Sequence, residues 1–170
     1  PRRRDLLSQI GIIPDHIIAP DIVETPHRGE VPAHYARRMA TEKAEAAARM
    51  GPPDGAAILA GDTVVACGRS ILPKTVDADA ARACLQRLSG RRHRVHGGIA
   101  LRCADGRMIT RLVTSIVTIK RLSAVEIDRY IDSGDWQEKA GGYAIQGPAA
   151  AFVQHVSGSY SNVVGLSLYD

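Results

Sequence analysis

The chain of 170 residues is long enough for one domain with a buried core, and its 45% hydrophobic and 24% charged residues are ordinary for a globular protein. No apolar run approaches the roughly 20 residues that cross a bilayer, and no secretory leader is visible, so we expect no membrane partner. The net charge of +4 is compatible with an anionic partner, but the basic residues are dispersed and only 4% of residues are aromatic, which disfavours nucleic acid.

The first half of the chain predicts helices that alternate with strands. Apolar residues at helical spacing predict a short helix over 3–10. The apolar run 16–19 predicts a strand, and a proline in the first turn begins a long helix over 32–50. Residues 56–67 are apolar and β-rich apart from one polar interruption, and the turn after them predicts a hairpin with 71–72.

The second half continues this alternation. Asp77 as a helix cap and the capping box of Ser123 with Glu126 predict helices over 78–88 and 123–131. The turn Ala104-Asp105-Gly106 predicts a hairpin that joins strands over 94–103 and 109–120, and further strands are predicted over 151–155 and 163–168. The sequence therefore predicts an α/β fold with a mixed twisted sheet and flanking helices. We expect a single domain over residues 1–170, divided into two lobes.

Asp62 is the most informative single residue, because it interrupts an apolar strand. Burying an isolated carboxylate costs several kcal/mol unless it is paired or binds a cation, and Gly61 beside it permits close approach of a ligand. The alternative is an aspartate that caps a turn at the end of a strand. The local sequence alone does not distinguish a functional carboxylate from a turn cap.

Three other charged residues are candidates for the same site. Lys74 follows the hairpin and could extend back towards Asp62, Lys43 lies on the long helix, and Glu24 lies in a loop after the first predicted strand. Loops at strand ends often bind ligands in α/β proteins. A helical lysine and an acidic loop are, however, usually solvated, so none of these residues is decisive alone.

The segment 139–147 contains three glycines and a polar pair, which suits close approach of a ligand to the backbone. It matches neither the Walker phosphate loop nor the GxGxxG fingerprint, which argues against a P-loop kinase and a Rossmann dehydrogenase. His93 and His96 lie three apart on a predicted strand and therefore face opposite sides, which disfavours a shared metal. We interpret both as structural or surface residues. No GxSxG motif is present, which disfavours a serine hydrolase.

The three cysteines, Cys67, Cys84 and Cys103, are scattered and lack CxxC spacing. An odd number without that spacing argues against a disulfide framework and a zinc site. Uncommitted cysteines favour a reducing compartment, so the predicted location is the cytoplasm.

Taken together in chain order, several short motifs resemble the Maf family of nucleotide pyrophosphatases over nearly the whole chain. The motifs are Pro1-Arg2-Arg3-Arg4-Asp5-Leu6-Leu7, Asp21 to Glu24, Tyr35 with Arg38, Ala40, Lys43 and Ala44, Ala60-Gly61-Asp62-Thr63, Pro73-Lys74, Leu88-Ser89-Gly90 with His93 and Val95, Lys139 to Gly147, and Gly158-Ser159-Tyr160 with Val163 to Leu166. The chain departs from the family at Thr75 and Ser167, where proline is usual; family members usually carry a strand and a serine before the Pro-Arg-Arg string, with which this sequence begins.

The resemblance implies a Maf/ITPase-like fold with a deep cleft, a possible homodimer, and hydrolysis of a nucleoside triphosphate to the monophosphate and pyrophosphate with Mg²⁺ or Mn²⁺. It implies the following roles: catalytic base, Asp62; metal ligands, Glu24 and Asp62; phosphate contacts, Arg3, Lys43 and Lys74; and substrate selection, Arg2, Thr63 and Gln146. Asp62, or a water that it orients on the metal, would supply the nucleophile. Arg, Thr and Gln at the selecting positions are similar to the family branch that acts on dTTP and UTP.

Two alternative functions remain open. One is a pyrophosphatase that prefers a modified purine or non-standard nucleotides. The other is a protein without catalytic activity, which regulates cell division or binds nucleic acid and retains only a vestigial cleft. Pyrophosphate release from a nucleotide panel distinguishes these classes.

Overall fold

The computed structural model describes residues 2–170, so the first residue of the Pro-Arg-Arg string lies outside it. The chain forms five α-helices, five strands and one short 3₁₀-helix over these residues. The helices are α1 (Arg2–Gln9), α2 (Pro32–Arg49), α3 (Ala78–Leu88), α4 (Ala124–Ser133) and α5 (Tyr160–Val164). The strands are β1 (Ile58–Cys67), β2 (Ser70–Leu72), β3 (Arg92–Arg102), β4 (Met108–Ile119) and β5 (Val153–Ser157), and the 3₁₀-helix is Pro148–Phe152.

The predicted helix starts are confirmed by their capping interactions. The Asp77 side chain accepts a hydrogen bond from the backbone N–H of Ala80, 2.7 Å away, at the start of α3. Ser123 and Glu126 form the reciprocal capping box that begins α4. Each cap satisfies backbone donors that the first helical turn leaves unpaired. These local signals explain why α3 and α4 begin where the sequence predicted.

The predicted strand over 16–19 is wrong. No strand forms within residues 12–31, and Ile17 and Ile18 are 67% and 39% exposed. Pro14 and Pro20 flank this run, and proline has no N–H to donate to a sheet ladder. The apolar side chains of residues 16–19 therefore do not indicate a strand.

The predicted strand over 163–168 is also wrong. The segment begins in helix α5, and Ser159 caps that helix by accepting a hydrogen bond from the N–H of Asn162. Its apolar residues are buried because they pack on one face of the sheet. The prediction failed because a short buried apolar run has the same sequence pattern in a helix as in a strand. The strand predicted over 151–155 forms as β5 but begins two residues later, after the 3₁₀-helix.

The sheet has five strands in the order β2-β1-β3-β4-β5. Each of its strand pairs is antiparallel within residues 2–170, so parallel pairing, which a mixed sheet would include, is not found there. The predicted α/β fold with flanking helices is confirmed. Of the helices formed by residues 2–170, none combines the length and apolar character that crossing a membrane requires.

The two faces of the sheet carry different helices. On one face, Val64 of β1 packs with Ala36 and Met39 of α2. On the other face, Val65 joins the main core, to which α1, α3, α4 and α5 contribute. Successive side chains of a strand point to opposite faces. Asp62 therefore lies on the α2 face with Val64, and Thr63 lies on the main-core face with Val65.

Two adjacent glycines of β3 allow close packing on these two faces. Gly98 pairs with Asp62 across the sheet, and a Cβ on Gly98 would lie 2.5 Å from the carbonyl carbon of Ala36. Gly97 pairs with Thr63, and a Cβ there would overlap the side-chain oxygen of Asn162 in α5. Each position needs glycine because the helix backbone or a buried amide occupies the space of a side chain.

Candidate functional site

Four charged side chains form a continuous chain of ion pairs beside β1. The ammonium Nζ of Lys43 lies 2.6 Å from Oδ1 of Asp62 and 2.7 Å from Oε1 of Glu24. The ammonium of Lys74 lies 2.6 Å from Oε2 of Glu24. The structure thus brings together the four residues that the sequence indicated, from a strand, a helix and two connecting segments. We refer to Asp62, Lys43, Glu24 and Lys74 as the charged cluster.

Packing of α2 on the sheet explains how Lys43 reaches Asp62. Met39 and Ala40 are fully buried on the sheet side of α2, and Lys43 follows Met39 by four residues on that side. The Lys43 and Asp62 side chains are 15% and 8% exposed. A charge in such surroundings is tolerated when it is paired, and removing one partner leaves the other uncompensated.

The electrostatics of Glu24 follow from its two lysines. Partial burial on its own raises the pKa of the Glu24 carboxyl, but hydrogen bonds from Lys43 and Lys74 outweigh burial and hold the pKa below its ordinary value. The carboxyl is therefore ionised at neutral pH. It links the more buried end of the charged cluster to Lys74, whose side chain is 53% exposed.

The donor set of the charged cluster fits a magnesium or manganese ion. Glu24 and Asp62 direct carboxylate oxygens towards one point, since both oxygens contact the same lysine nitrogen. Within residues 2–170, no three His, Cys, Asp or Glu side chains converge. Mg²⁺ is commonly held by one or two carboxylates together with substrate phosphates, so two carboxylates are a sufficient protein contribution.

The three predicted substrate-selecting residues line a single cavity on the main-core face. Arg2 comes from α1, Thr63 from β1 and Gln146 from the loop before the 3₁₀-helix. Apolar side chains complete the walls, among them Ile145 and Val163. Polar and apolar side chains thus share the walls of this small cavity.

Arg3 lies on the cavity side rather than within the charged cluster. Its Nε donates to the carbonyl oxygen of Gly165 at 2.9 Å, and its Nη2 donates to Oγ1 of Thr63 at 3.3 Å. Burial lowers the pKa of Arg3 from its ordinary value; neighbouring Arg2 lowers it further, and the negative charge of Asp62 acts in the opposite direction. The guanidinium predicted to contact phosphate therefore also supports the substrate-selecting residue Thr63.

Asn162 is a site-supporting residue to which the sequence analysis assigned no role. It is fully buried, and its amide nitrogen donates to the backbone oxygen of Val95 at 3.2 Å and to Oγ of Ser115 at 3.0 Å. These bonds fix α5 on the sheet, and Gly165, which accepts the Arg3 hydrogen bond, directly follows α5. The sequence feature that could have indicated this role is a polar residue immediately before the apolar run that begins at Val163.

The histidines that sequence analysis interpreted as structural or surface residues are both buried. Nε2 of His93 lies 2.7 Å from the hydroxyl of Tyr143 in the glycine-rich loop, and burial lowers the pKa of His93 to about 4. His96 lies on the opposite face, with Nδ1 2.9 Å from Oγ1 of Thr114. The spacing predicted this separation of the two rings. His93 is thus a neutral ring that anchors the loop carrying Gln146.

The α/β fold places a buried, ion-paired carboxylate next to a cavity with polar side chains in its walls. Comparison with known proteins identifies the family. The family model described as "Maf-like protein" matches residues 1–170. The chain belongs to the Maf family.

Individual relatives resemble this chain over its whole length. A protein named dTTP/UTP pyrophosphatase from Paramagnetospirillum magneticum is 57% identical, and the match covers 100% of this chain and 88% of that protein. A protein of the same name from Rhodospirillum rubrum is 58% identical, with 100% and 80% covered. A third, from Caulobacter vibrioides, is 51% identical, with 100% and 87% covered.

Proposed function

We propose that this chain, acting as one domain, hydrolyses dTTP and UTP to the nucleoside monophosphate and pyrophosphate. The observation that carries the proposal is the adjacency of Asp62 and Thr63 on β1. Asp62 belongs to the charged cluster, and Thr63 lines the cavity with Arg2 and Gln146. Relatives that are 51–58% identical and bear the name dTTP/UTP pyrophosphatase support the same substrates.

Asp62 acts as the catalytic base in this proposal. Its carboxylate accepts a proton from the water that attacks the α-phosphorus, and the bond from that phosphorus to the oxygen bridging the α- and β-phosphates breaks. The carboxylate is held in place by Lys43, 2.6 Å away, and its strand position is fixed by pairing with Gly98. A general base must lie within hydrogen-bonding distance of the proton it removes, so this positioning is essential.

The cationic residues stabilise the departing pyrophosphate. A triphosphate carries about four negative charges, and charge stabilisation dominates catalysis of phosphoryl transfer. Lys43 keeps its contact with Asp62 and directs a remaining N–H to a phosphate oxygen, Lys74 contacts the phosphates from its more exposed position, and Arg3 contributes from the cavity side. Glu24 and Asp62 would hold Mg²⁺ or Mn²⁺, and the bound ion would neutralise phosphate charge and polarise the phosphate oxygens.

Gln146 reads the base together with Thr63 and Arg2. A glutamine amide has both donors and an acceptor, so it can pair with the O4 and N3 edge of uracil or thymine. A cavity that pairs with this edge leaves its polar groups unmatched when a purine enters, which disfavours binding of the purine.

The free thiols of Cys67 and Cys103 are consistent with action in the cytoplasm.

The proposal is tested by pyrophosphate release from a panel of nucleoside triphosphates with Mg²⁺ or Mn²⁺. We expect dTTP and UTP to be the best substrates and the Asp62→Asn variant to be inactive. Preference for a purine triphosphate would replace the pyrimidine assignment. Absence of turnover for every nucleotide, with salt-sensitive binding to DNA or RNA, would reject the enzyme in favour of a nucleic-acid-binding protein.

A further inference from the structure

The short segment from Pro73 to Thr75 connects the two parts of the site. Lys74 contacts Glu24 in the charged cluster. The next residue, Thr75, is fully buried and contacts the loop that carries Gln146. A single step along the backbone therefore separates a predicted phosphate contact from the support of a predicted base contact.

Thr75 and its neighbours join the segment to the glycine-rich loop and to Trp136 just before it. The Thr75 hydroxyl donates its one hydrogen to the carbonyl oxygen of Trp136 at 2.6 Å, and the carbonyl oxygen of Lys139 lies 3.3 Å from the same hydroxyl oxygen. The N–H of Gly141 donates to the carbonyl oxygen of Pro73 at 3.0 Å. Its N–H donates to the Lys139 oxygen at 3.2 Å, and its own carbonyl accepts from Glu138 at 2.9 Å. Lys74 forms an isolated antiparallel bridge with Ala140. Three hydrogen bonds and one longer polar contact at a single buried residue hold the start of the loop in place.

The loop transmits this constraint to the cavity. A Cβ on Gly142 would lie 3.2 Å from the Thr75 methyl group, so the loop packs directly on that side chain. Tyr143 then lines the cavity, and Gln146 follows three residues later.

We propose that Thr75 is a positioning residue that holds the Gln146 loop at a fixed place relative to Lys74, so that base and triphosphate are bound together. This inference rests on the proposed function. Thr75 does not contact the substrate; it acts through Gln146 and Lys74. Because of Thr75, a nucleotide whose base pairs correctly with Gln146 also has its triphosphate placed correctly at Lys74.

The first test compares Thr75→Val, which removes the hydroxyl, with Thr75→Ser, which keeps it. We expect Thr75→Val to lower kcat/KM for dTTP roughly tenfold, about the effect of losing one or two net hydrogen bonds, and to reduce the preference for dTTP over GTP. Thr75→Ser should stay within about twofold of wild type. Thr114→Val is the matched control. It removes a hydroxyl that is hydrogen-bonded to buried His96, and Thr114 does not contact the loop.

A double-mutant cycle shows whether the effect passes through Gln146. In a Gln146→Ala background, Thr75→Val should change kcat/KM less than about twofold, because the base contact is already lost. Equal effects of Thr75→Val in the two backgrounds would overturn the proposal, as would an equal loss with Thr114→Val. If Thr75→Val fails to fold, Thr75→Ala replaces it in the same cycle.

Hydrogen exchange keeps the inference separate from the proposed function. We expect amide exchange in residues 139–147 to accelerate at least about fivefold in Thr75→Val and to stay unchanged in Thr114→Val. Unchanged exchange in Thr75→Val overturns the positioning role even if the wild type is active. A wild type without pyrophosphatase activity rejects the proposed function and, with it, any role of Thr75 in binding nucleotide.

Discussion

Replacing Gly98 with alanine should damage catalysis through the packing of α2. The added Cβ would lie 2.0 Å from the carbonyl oxygen of Ala36 and 2.5 Å from its carbonyl carbon. Ordinary Cβ contacts begin at 3.4 Å, so α2 must withdraw by more than about 1 Å. Lys43 lies on the same helix, and its 2.6 Å contact with Asp62 lengthens when α2 moves.

The structure gives the size of the expected effect. Overpacking of a close contact costs about 1–3 kcal/mol. For a domain of this size each kcal/mol corresponds to roughly 2–4 °C in Tm, so Tm should fall by about 2–12 °C. A misplacement of about 1 Å at a catalytic group costs on the order of 100-fold in rate. We therefore expect kcat for dTTP to fall about 100-fold in Gly98→Ala.

The assay measures pyrophosphate release from dTTP at a temperature where the variant is fully folded, with Tm measured by calorimetry. Gly97→Ala is the matched control, because its Cβ would overlap Asn162 on the other face. That variant should mainly raise KM, since Asn162 supports the cavity side. A lower Tm with unchanged kcat in Gly98→Ala would refute the reasoning, and so would the same changes in kcat and KM for both variants.

Three further predictions concern individual site residues. Asp62→Asn should lower kcat at least about 1000-fold while Tm changes little, because Lys43 keeps its contact with Glu24; substantial remaining pyrophosphate release would remove Asp62 from the mechanism. Gln146→Glu should weaken dTTP and UTP selectively, and an equal loss for every nucleotide would show that Gln146 does not read the base. Burial lowers the pKa of His93 from 6.5 to about 4, so the neutral ring contributes stability above pH 6.5 that is lost as pH falls towards 4. The difference in Tm between pH 7.5 and pH 5 should therefore shrink in His93→Gln, whereas an unchanged difference would mean that this ring titrates normally.

The sequence predicted those elements whose signals are local. The caps at Asp77 and Ser123 and the glycine-containing hairpin between β3 and β4 each depend on neighbouring residues, and all three were predicted correctly. The strand over 16–19 was predicted from a short apolar run that ends at Pro20. Without a neighbouring strand such residues have no ladder to join, and that information is not local.

The charged cluster shows a different limit. Lys43 and Asp62 are separated by 19 positions, and Glu24 and Lys74 by 50. Each residue, when considered alone, could be interpreted as an ordinary solvated or turn-capping residue. Their association in one site was predicted from the ordered series of motifs and not from their spacing in the sequence. Asn162 had no assigned role because its importance arises from contacts with two distant strands, whose packing the sequence does not display.

The register of β1 against β3 explains how hydrolysis and base selection can be separated in one small site. Asp62 and Thr63 are adjacent, so they lie on opposite faces about 3.3 Å apart along the strand. Their partners Gly98 and Gly97 each fit only the face that they occupy. A slip of β3 by one residue in one direction would direct Ile99 towards α2 in place of Gly98, and its side chain would collide with the helix. The two glycines therefore disfavour that slip, and the observed register sets the distance between the proposed catalytic carboxylate and the cavity. It follows that substitutions on the Thr63 face should alter substrate choice without disturbing the Lys43–Asp62 pair.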